Sequence, residues 1–364
     1  MFNRLLFKVK FRYLFFISLL GIIININFFF ISICFVFLKV YLKSKKIVYL
    51  IIFYTFLTFV IYELVNIKSF IEKNDYYTET NIKYDINKEY GYYPKKDSEF
   101  IEKIFYKDKL LRINKYTINE YGHRKNVNFG INTNECIVFF GGSIIFGQSL
   151  NDNETLPHYV STKLNGKKKV FNFAFNGYGP HQFLSKIENG YLDELKTCKK
   201  FDFIYLYIND HVGRVVGKRS WGDKSPRYII NGENLIQNGF FSSYPFKLVM
   251  KFRKNMRNSK IISIFYNIEK TTKKDQFLFV KILFEIENKI KNLNSKSNFF
   301  YIIWNNEKLN YEVIDNFFKN KQTLNIENLN IPLEYQYNNI PGDNHPTRQF
   351  NELLSKEIIK FFIK

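Results

Sequence analysis

The apolar run Cys136-Ile-Val-Phe-Phe140 leads directly into Gly141-Gly142-Ser143. A glycine pair after a buried strand lets the backbone turn tightly and presents the next side chain at the strand's carboxyl end. A hydroxyl there, opening a helix, has amide donors around it and suits a nucleophile. Two other readings fit the same residues. Gly142-x4-Gly147 imitates a phosphate-binding loop, and Tyr205-Leu-Tyr-Ile-Asn-Asp210 imitates a strand ending in a magnesium ligand. Gln148 occupies the place of the lysine that such a loop needs, which argues against a nucleotide. A Gly-Ser turn without chemical role is the plain alternative. Three further segments argue against it: Asn172-Phe-Ala-Phe-Asn176-Gly177-Tyr178-Gly179-Pro180-His181-Gln182, then Ile208-Asn209-Asp210-His211, then Gly342-Asp343-Asn344-His345-Pro346. Acyl transfer needs a hydroxyl, an imidazole to take its proton, a carboxylate to orient the ring and donors for the oxyanion. The four segments supply all of these.

The elements that must position them follow from the pattern of apolar residues. Cys136–Phe140, Lys169–Phe173, Phe203–Ile208 and Phe299–Trp304 are short continuous apolar runs, as expected of strands buried on both faces of a parallel sheet. Helical stretches are expected near Thr155–Leu164, Pro180–Leu195, Phe277–Leu293 and Thr347–Phe362. The alternation predicts an α/β fold, a three-layer α/β/α sandwich with a parallel, flavodoxin-like sheet and its reactive groups at the strands' carboxyl ends.

With the blocks in this order, residues 135–364 resemble an SGNH (GDSL-type) hydrolase. The first block matches at Gly141-Gly142-Ser143, Phe146-Gly147 and Asp152-x-x-Thr155, the second at Asn172–Gly179, the third at Asn209-Asp210 and the last at Asp343-x-His345-Pro346. Glu89–Tyr93 and Tyr116–Arg124 resemble the segment that leads into membrane-anchored bacterial members. The resemblance implies Ser143 as nucleophile, His345 as general base and then acid, and Asp343 as the orienting carboxylate. It implies an oxyanion hole from the Ser143 and Gly177 amides and the Asn209 side chain. Three departures accompany it. Gly142 replaces the motif's Asp, Tyr207 replaces a frequent Gly, and Asp343 stands two residues before His345 where many members have three. His181 and His211 are candidates for substrate contact or for structural hydrogen bonds, His123 and His158 for structural roles. Asp210 is expected to brace the Asn209 loop, and Arg214 either to steer an anion or to be solvated.

The front of the chain has a different character. Tyr13–Leu38 is an uncharged apolar run and Ile47–Tyr62 a second, continued by Leu64 and Val65. A helix needs about 20 apolar residues to cross a bilayer, so N-terminal transmembrane helices are expected, one or two of them, within residues 1–67. Basic residues before the first run (Arg4, Lys8, Lys10, Arg12) and between the runs (Lys39, Lys43, Lys45, Lys46) both ask for the cytoplasm. Asn25 and Asn27 allow the first run to bend back, which leaves one crossing and puts the rest outside. Residues 68–134 read as a tether and lead-in segment with a few strands, and residues 213–274 as a basic insertion in the hydrolase domain.

The composition agrees. The 364 residues include 41 Phe and 26 Tyr, and 54 Lys+Arg against 33 Asp+Glu give a net charge of +21. The bias is spread along the chain and no nucleic-acid readout motif accompanies it, so no nucleic-acid partner is expected; an anionic membrane or envelope polymer suits it better. Three cysteines without CxxC or Cys/His spacing argue against a zinc site and a disulfide scaffold, and Cys136 and Cys198 are expected as buried, inert thiols. No metal or organic cofactor is implied. The expectation is a membrane-anchored serine esterase whose catalytic domain lies extracytoplasmically, in the periplasm or on the outer face. It would act on ester-linked acyl groups, acetyl foremost, of an envelope glycan or lipid. The alternatives are an O-acyltransferase on a cell-envelope polysaccharide and an inactive SGNH-fold binding or assembly protein.

Overall fold

The computed structural model describes residues 26–70, 76–126, 133–219, 221–304, 311–332, 334 and 345–362. In chain order they form α1 (Ile26–Ser44), α2 (Ile47–Phe70), β1 (Tyr76–Thr80), β2 (Tyr84–Asn87), β3 (Gly91–Pro94), β4 (Ser98–Tyr106) and β5 (Lys109–Ile118). Next come β6 (Glu135–Phe140), α3 (Ser143–Phe146), α4 (Leu156–Leu164), β7 (Lys169–Asn172), α5 (Pro180–Glu188), β8 (Lys200–Tyr207) and α6 (Asp210–Val215). The hairpin β9 (Pro226–Asn231) and β10 (Asn234–Phe240) precedes α7 (Phe246–Asn258), α8 (Lys260–Phe265) and α9 (Lys273–Leu293). The chain closes with β11 (Asn298–Ile303), α10 (Glu312–Phe318), β12 (Thr323–Asn325) and α11 (Arg348–Ile359). It divides into two units, one from Met1–Asn74 with Ser242–Lys270, the other from Asp75–Phe241 with Thr271–Lys364.

The larger unit is the expected three-layer sandwich. Its sheet has the order β12-β11-β8-β6-β7, all parallel. Side chains alternate along each strand, so the sheet feeds two cores. Ile137, Phe139, Ile204, Leu206 and Ile302 face α4 and α11 through Val160, Leu164, Phe350 and Leu354. Val138, Phe140, Phe203 and Tyr205 face α5 and α9 through Phe183, Leu184, Phe279 and Ile286. The helices are bounded by local chemistry. Thr155 and Thr347 accept from His158 N and Phe350 N, capping α4 and α11. Pro180 opens α5, where the missing amide costs nothing, and Gln182 Oε1 accepts from Gly179 N at 2.9 Å.

The lead-in segment is more ordered than expected. It forms a three-stranded antiparallel sheet β1-β4-β5 and the hairpin β2-β3. Arg124 bridges Ile118 on one side and Asn172 on the other, joining this sheet to the end of β7.

The cysteine expectation is overturned. Cys136 and Cys198, 62 residues apart in sequence, form a disulfide. The parallel register sets Cys136 opposite Phe201, so the chain entering β8 passes the start of β6, and the two sulfurs meet where sequence spacing alone gave no sign.

In the smaller unit α1 and α2 form a helical hairpin. Phe30, Cys34 and Val60 pack with Ile261 of α8. Glu63, 2% exposed, accepts from Ser259 Oγ at 2.6 Å and Ile261 N at 2.8 Å, fastening the start of α8 to α2. The segment expected as one insertion therefore splits, with β9–β10 in the larger unit and α7–α8 in the smaller. Among the described residues no helix is long and apolar enough to cross a membrane. The transmembrane anchor is thus not borne out, and Tyr13–Asn25 of the first apolar run lies outside the described residues.

Candidate active site

Ser143 stands where β6 ends, as the first residue of α3, with Gly142 as its N-cap. The first amides of a helix have no intrahelical partner, so the backbone here can donate to an oxyanion. The short helix is held from behind by residues that sequence reasoning placed only in the lead-in segment. The buried Arg124 donates to the carbonyls of Phe146, Gly147 and Leu150 at 2.6–2.7 Å and to Asp152 Oδ1 at 2.9 Å. Its guanidinium lies 4.4 Å from the Tyr116 ring centroid, a cation–π geometry. Asn172 at the end of β7 donates to Ile145 O at 3.0 Å.

The Gly142 departure has a steric cause. A Cβ on Gly142 would lie 2.5 Å from Arg214 Nη1, 3.1 Å from His211 Nε2 and 3.1 Å from Tyr178 O. The position of the motif's Asp is thus taken by side chains from α6 and by the β7 loop, which brings the loops after β6, β7 and β8 together. Arg214 is pinned there. It donates to Asp210 Oδ2 at 2.7 Å and to Tyr178 O at 2.6 Å. Asp210 also pairs with Arg219. Burial alone would raise Asp210, yet Arg214 and Arg219 hold it below the usual carboxylate range, which makes it a brace for the loop.

Asn209 opens α6, and its Oδ1 accepts from Tyr207 OH at 2.9 Å. Tyr207 packs into the α9-side core, so it orients the Asn209 amide through Oδ1. Gly177 has φ +76, and a Cβ there would meet Tyr92 OH at 2.7 Å and Trp221 Cδ1 at 2.8 Å. Tyr92 OH donates to Asn176 O at 3.0 Å. Tyr92 and Trp221 therefore crowd the Gly177 turn.

His181 and His211 are each 1% exposed and lie beneath these loops. His211 Nδ1 meets Tyr205 OH at 2.6 Å. Burial first and Arg214 second push His181 down to about 3 and His211 well below its ordinary value, so both rings are neutral at pH 7. His345 is half-buried and immediately precedes Pro346 and the Thr347 cap of α11. Asp343 lies outside the described residues. His158 is on α4; His123 is buried, with Nδ1 2.6 Å from Glu194 Oε2 and Nε2 3.0 Å from Lys186 Nζ. A cleft of about 380 Å³ is lined by Ser149–Asn151, Glu154 and Pro346–Gln349, and Ser143 is not among its lining residues. Among the described residues no three His, Cys, Asp or Glu side chains group as a metal site would require.

No family model and no curated protein matches the chain. Solved structures that it is similar to include a protein described as lipolytic, of the G-D-S-L family, from Desulfitobacterium hafniense (10% identity, TM-score 0.34, covering 63% of this chain and 99% of that one). A psychrotrophic esterase, EstA, from Pseudoalteromonas has 12% identity and a TM-score of 0.34, covering 64% and 99%. An acetyl xylan esterase, Est2A, from Butyrivibrio proteoclasticus has 10% identity and a TM-score of 0.35, covering 79% and 86%. At such scores the likeness carries no weight on its own.

Proposed function

We propose that the chain is a serine esterase of the SGNH type that removes acyl groups, acetyl foremost, from an envelope glycan or lipid. The observation that carries the reading is the meeting of three loops at the carboxyl ends of β6, β7 and β8. These hold Ser143 at a helix start, Gly177 at a positive-φ turn and an Asn209 amide oriented by Tyr207. In this mechanism Ser143 Oγ attacks the acyl carbonyl while His345 takes its proton. The Ser143 and Gly177 amides and Asn209 Nδ2 donate to the oxyanion. His345 then protonates the leaving alkoxide, and a water activated by the same ring releases the acyl group. Asp343 would hold the ring's tautomer. Arg124 and Arg214 act at one remove, the first by holding α3 and the second by fixing the Tyr178 carbonyl and α6.

The hairpin α1–α2 would anchor the enzyme in the cell membrane with the catalytic domain on the extracytoplasmic side. The Cys136–Cys198 disulfide supports that location, since such bonds persist in oxidising compartments. The test uses the full chain, a short-chain chromogenic ester and a fluorophosphonate probe. Turnover and labelling should both disappear in Ser143→Ala, and Asn209→Ala should lower kcat by about 10²–10³. A folded wild type that neither labels nor turns over would refute the reading and leave a binding or assembly role. Labelling with transfer to an added glycan, faster than hydrolysis, would convert it to an O-acyltransferase.

A further inference from the structure

Helix α7 is strongly two-sided. At 3.6 residues per turn, Leu248, Val249, Phe252 and Met256 share one side, and Lys247, Lys251, Lys254 and Asn258 the other. A helix that rests on a protein core buries its apolar stripe. Here no residue of α7 is buried, and Leu248, Val249 and Phe252 are 43%, 38% and 36% exposed. The exposed apolar surface continues at Tyr244 before the helix and at Ile264 and Tyr266 in and after α8. The charge is one-sided as well: residues 242–270 contain seven Lys and Arg and a single acid, Glu269.

The helix is also fixed to a particular body. Ser259 and Ile261, just after it, are clasped by Glu63 of α2, and Met256 packs on the Phe30–Val60–Ile261 cluster. The hairpin it is tied to exposes Ile31, Phe35, Ile51 and Ile61. We infer that α7 is an in-plane interfacial helix that docks on an anionic phospholipid surface, with Leu248, Val249 and Phe252 toward the acyl chains and Lys247, Lys251 and Lys254 among the headgroup phosphates. An aromatic and aliphatic face opposite a lysine face is what such a surface takes, and each basic side chain near anionic lipid adds to binding. A second copy of the chain is the poorer occupant, because it would set this lysine-rich helix against another. The role gives the 242–270 excursion from the hydrolase fold a purpose: it holds a second membrane contact beside the hairpin.

The inference rests on the membrane attachment proposed above, and the experiment separates the two. The full chain carries Cys34→Ala and a single added cysteine, Phe252→Cys or Lys254→Cys, labelled with an environment-sensitive fluorophore. It is placed in nanodiscs of phosphatidylcholine alone or mixed with phosphatidylglycerol. In the mixed discs the label at 252 should shift to the blue and be quenched by a lipid-borne nitroxide, while the label at 254 should stay accessible to an aqueous quencher. Adding Lys247→Ala and Lys251→Ala should lower the docked-to-free ratio at 252 about 30-fold. A chain that enters discs yet keeps position 252 in water in both lipids overturns this inference and leaves the attachment standing. Burial at 252 that ignores lipid charge and grows with the number of chains per disc overturns it in favour of self-association. A chain that enters neither disc overturns both.

Discussion

The Gly142→Ala substitution tests whether the Ser143 turn and Arg214 are mutually dependent. The new Cβ would lie 2.5 Å from Arg214 Nη1, about 1 Å inside ordinary contact. Arg214 is only 8% exposed and is held at 2.7 Å by Asp210 and at 2.6 Å by Tyr178 O. It cannot retreat without breaking the Tyr178 bond and loosening the Asp210 pair. A hydrogen bond to a charged group is worth about 1.5–3 kcal/mol net. Gly142→Ala should therefore cost at least about 1.5 kcal/mol, approaching about 6 if the guanidinium leaves altogether. The contacts at 3.1 Å to His211 Nε2 and Tyr178 O ask only for a shift of tenths of an ångström. In an Arg214→Ala background the same substitution should then cost under about 1 kcal/mol, so the two changes couple strongly in a double-mutant cycle. Urea unfolding followed by tryptophan fluorescence reads the relevant unit alone, because both tryptophans, Trp221 and Trp304, lie in it. Additive costs, or a neutral Gly142→Ala in the wild type, would refute the steric account.

Four other outcomes follow from the same geometry. Replacing Cys136 and Cys198 by Ala opens a 62-residue loop and should lower urea stability by about 4 kcal/mol on the chain-entropy relation; an unchanged midpoint would show that the loop is constrained by other contacts. Tyr207→Phe removes the hydroxyl that orients Asn209 and should lower kcat about tenfold at unchanged KM, an effect that a merely structural tyrosine would not divide in this way. Arg124→Met leaves the buried Phe146 and Leu150 carbonyls without this donor and should cost at least about 3 kcal/mol in the same unfolding assay. The His123 cluster gives a pH signature. Burial pushes Lys186 down to about 7 and Glu194 up to about 7. Between about pH 7 and 10 the unfolded Lys186 keeps a proton that the folded one has lost, so stability rises with pH. Below about pH 6.5 Glu194 works in the opposite sense, keeping in the folded state a proton that the unfolded chain has lost, but the buried, neutral His123, His181 and His211 oppose it. The rise above about pH 7 should be lost in Lys186→Met, measured as urea midpoint against pH.

The sheet was readable because its strands are buried on both faces. Expected runs at Cys136–Phe140, Lys169–Phe173, Phe203–Ile208 and Phe299–Trp304 meet observed strands within about three residues at each end, since continuous apolarity is what a doubly covered parallel strand requires. β12, three residues long with each residue half-buried, offers no such run. The location of Ser143, Gly177 and Asn209 after β6, β7 and β8 was also readable, because a loop at a strand's carboxyl end is encoded locally by glycine and asparagine. What supports the loops was not. Arg124 reaches α3 from a different sheet, and Arg214 occupies the space above Gly142 only because α6 folds back over the β6 loop. Neither side chain differs in sequence from a solvated arginine.

The same reasoning explains why the basic insertion divides between the two units. Its charge is uniform in sequence, but its two halves have different partners. Gln237 on β10 donates to Glu89 O at 2.7 Å and accepts from Ser185 Oγ at 2.8 Å, which ties the β9–β10 hairpin to the larger unit. Ser259 and Ile261 instead need Glu63, a carboxylate within an apolar helix. A buried carboxylate is costly unless hydrogen-bonded, so Glu63 in the second apolar run is explained by residues almost two hundred positions later. A fragment that begins after α2 would leave Ile261 without its cover and Ser259 Oγ without its acceptor. Measurements on the 242–270 segment therefore belong on the full chain.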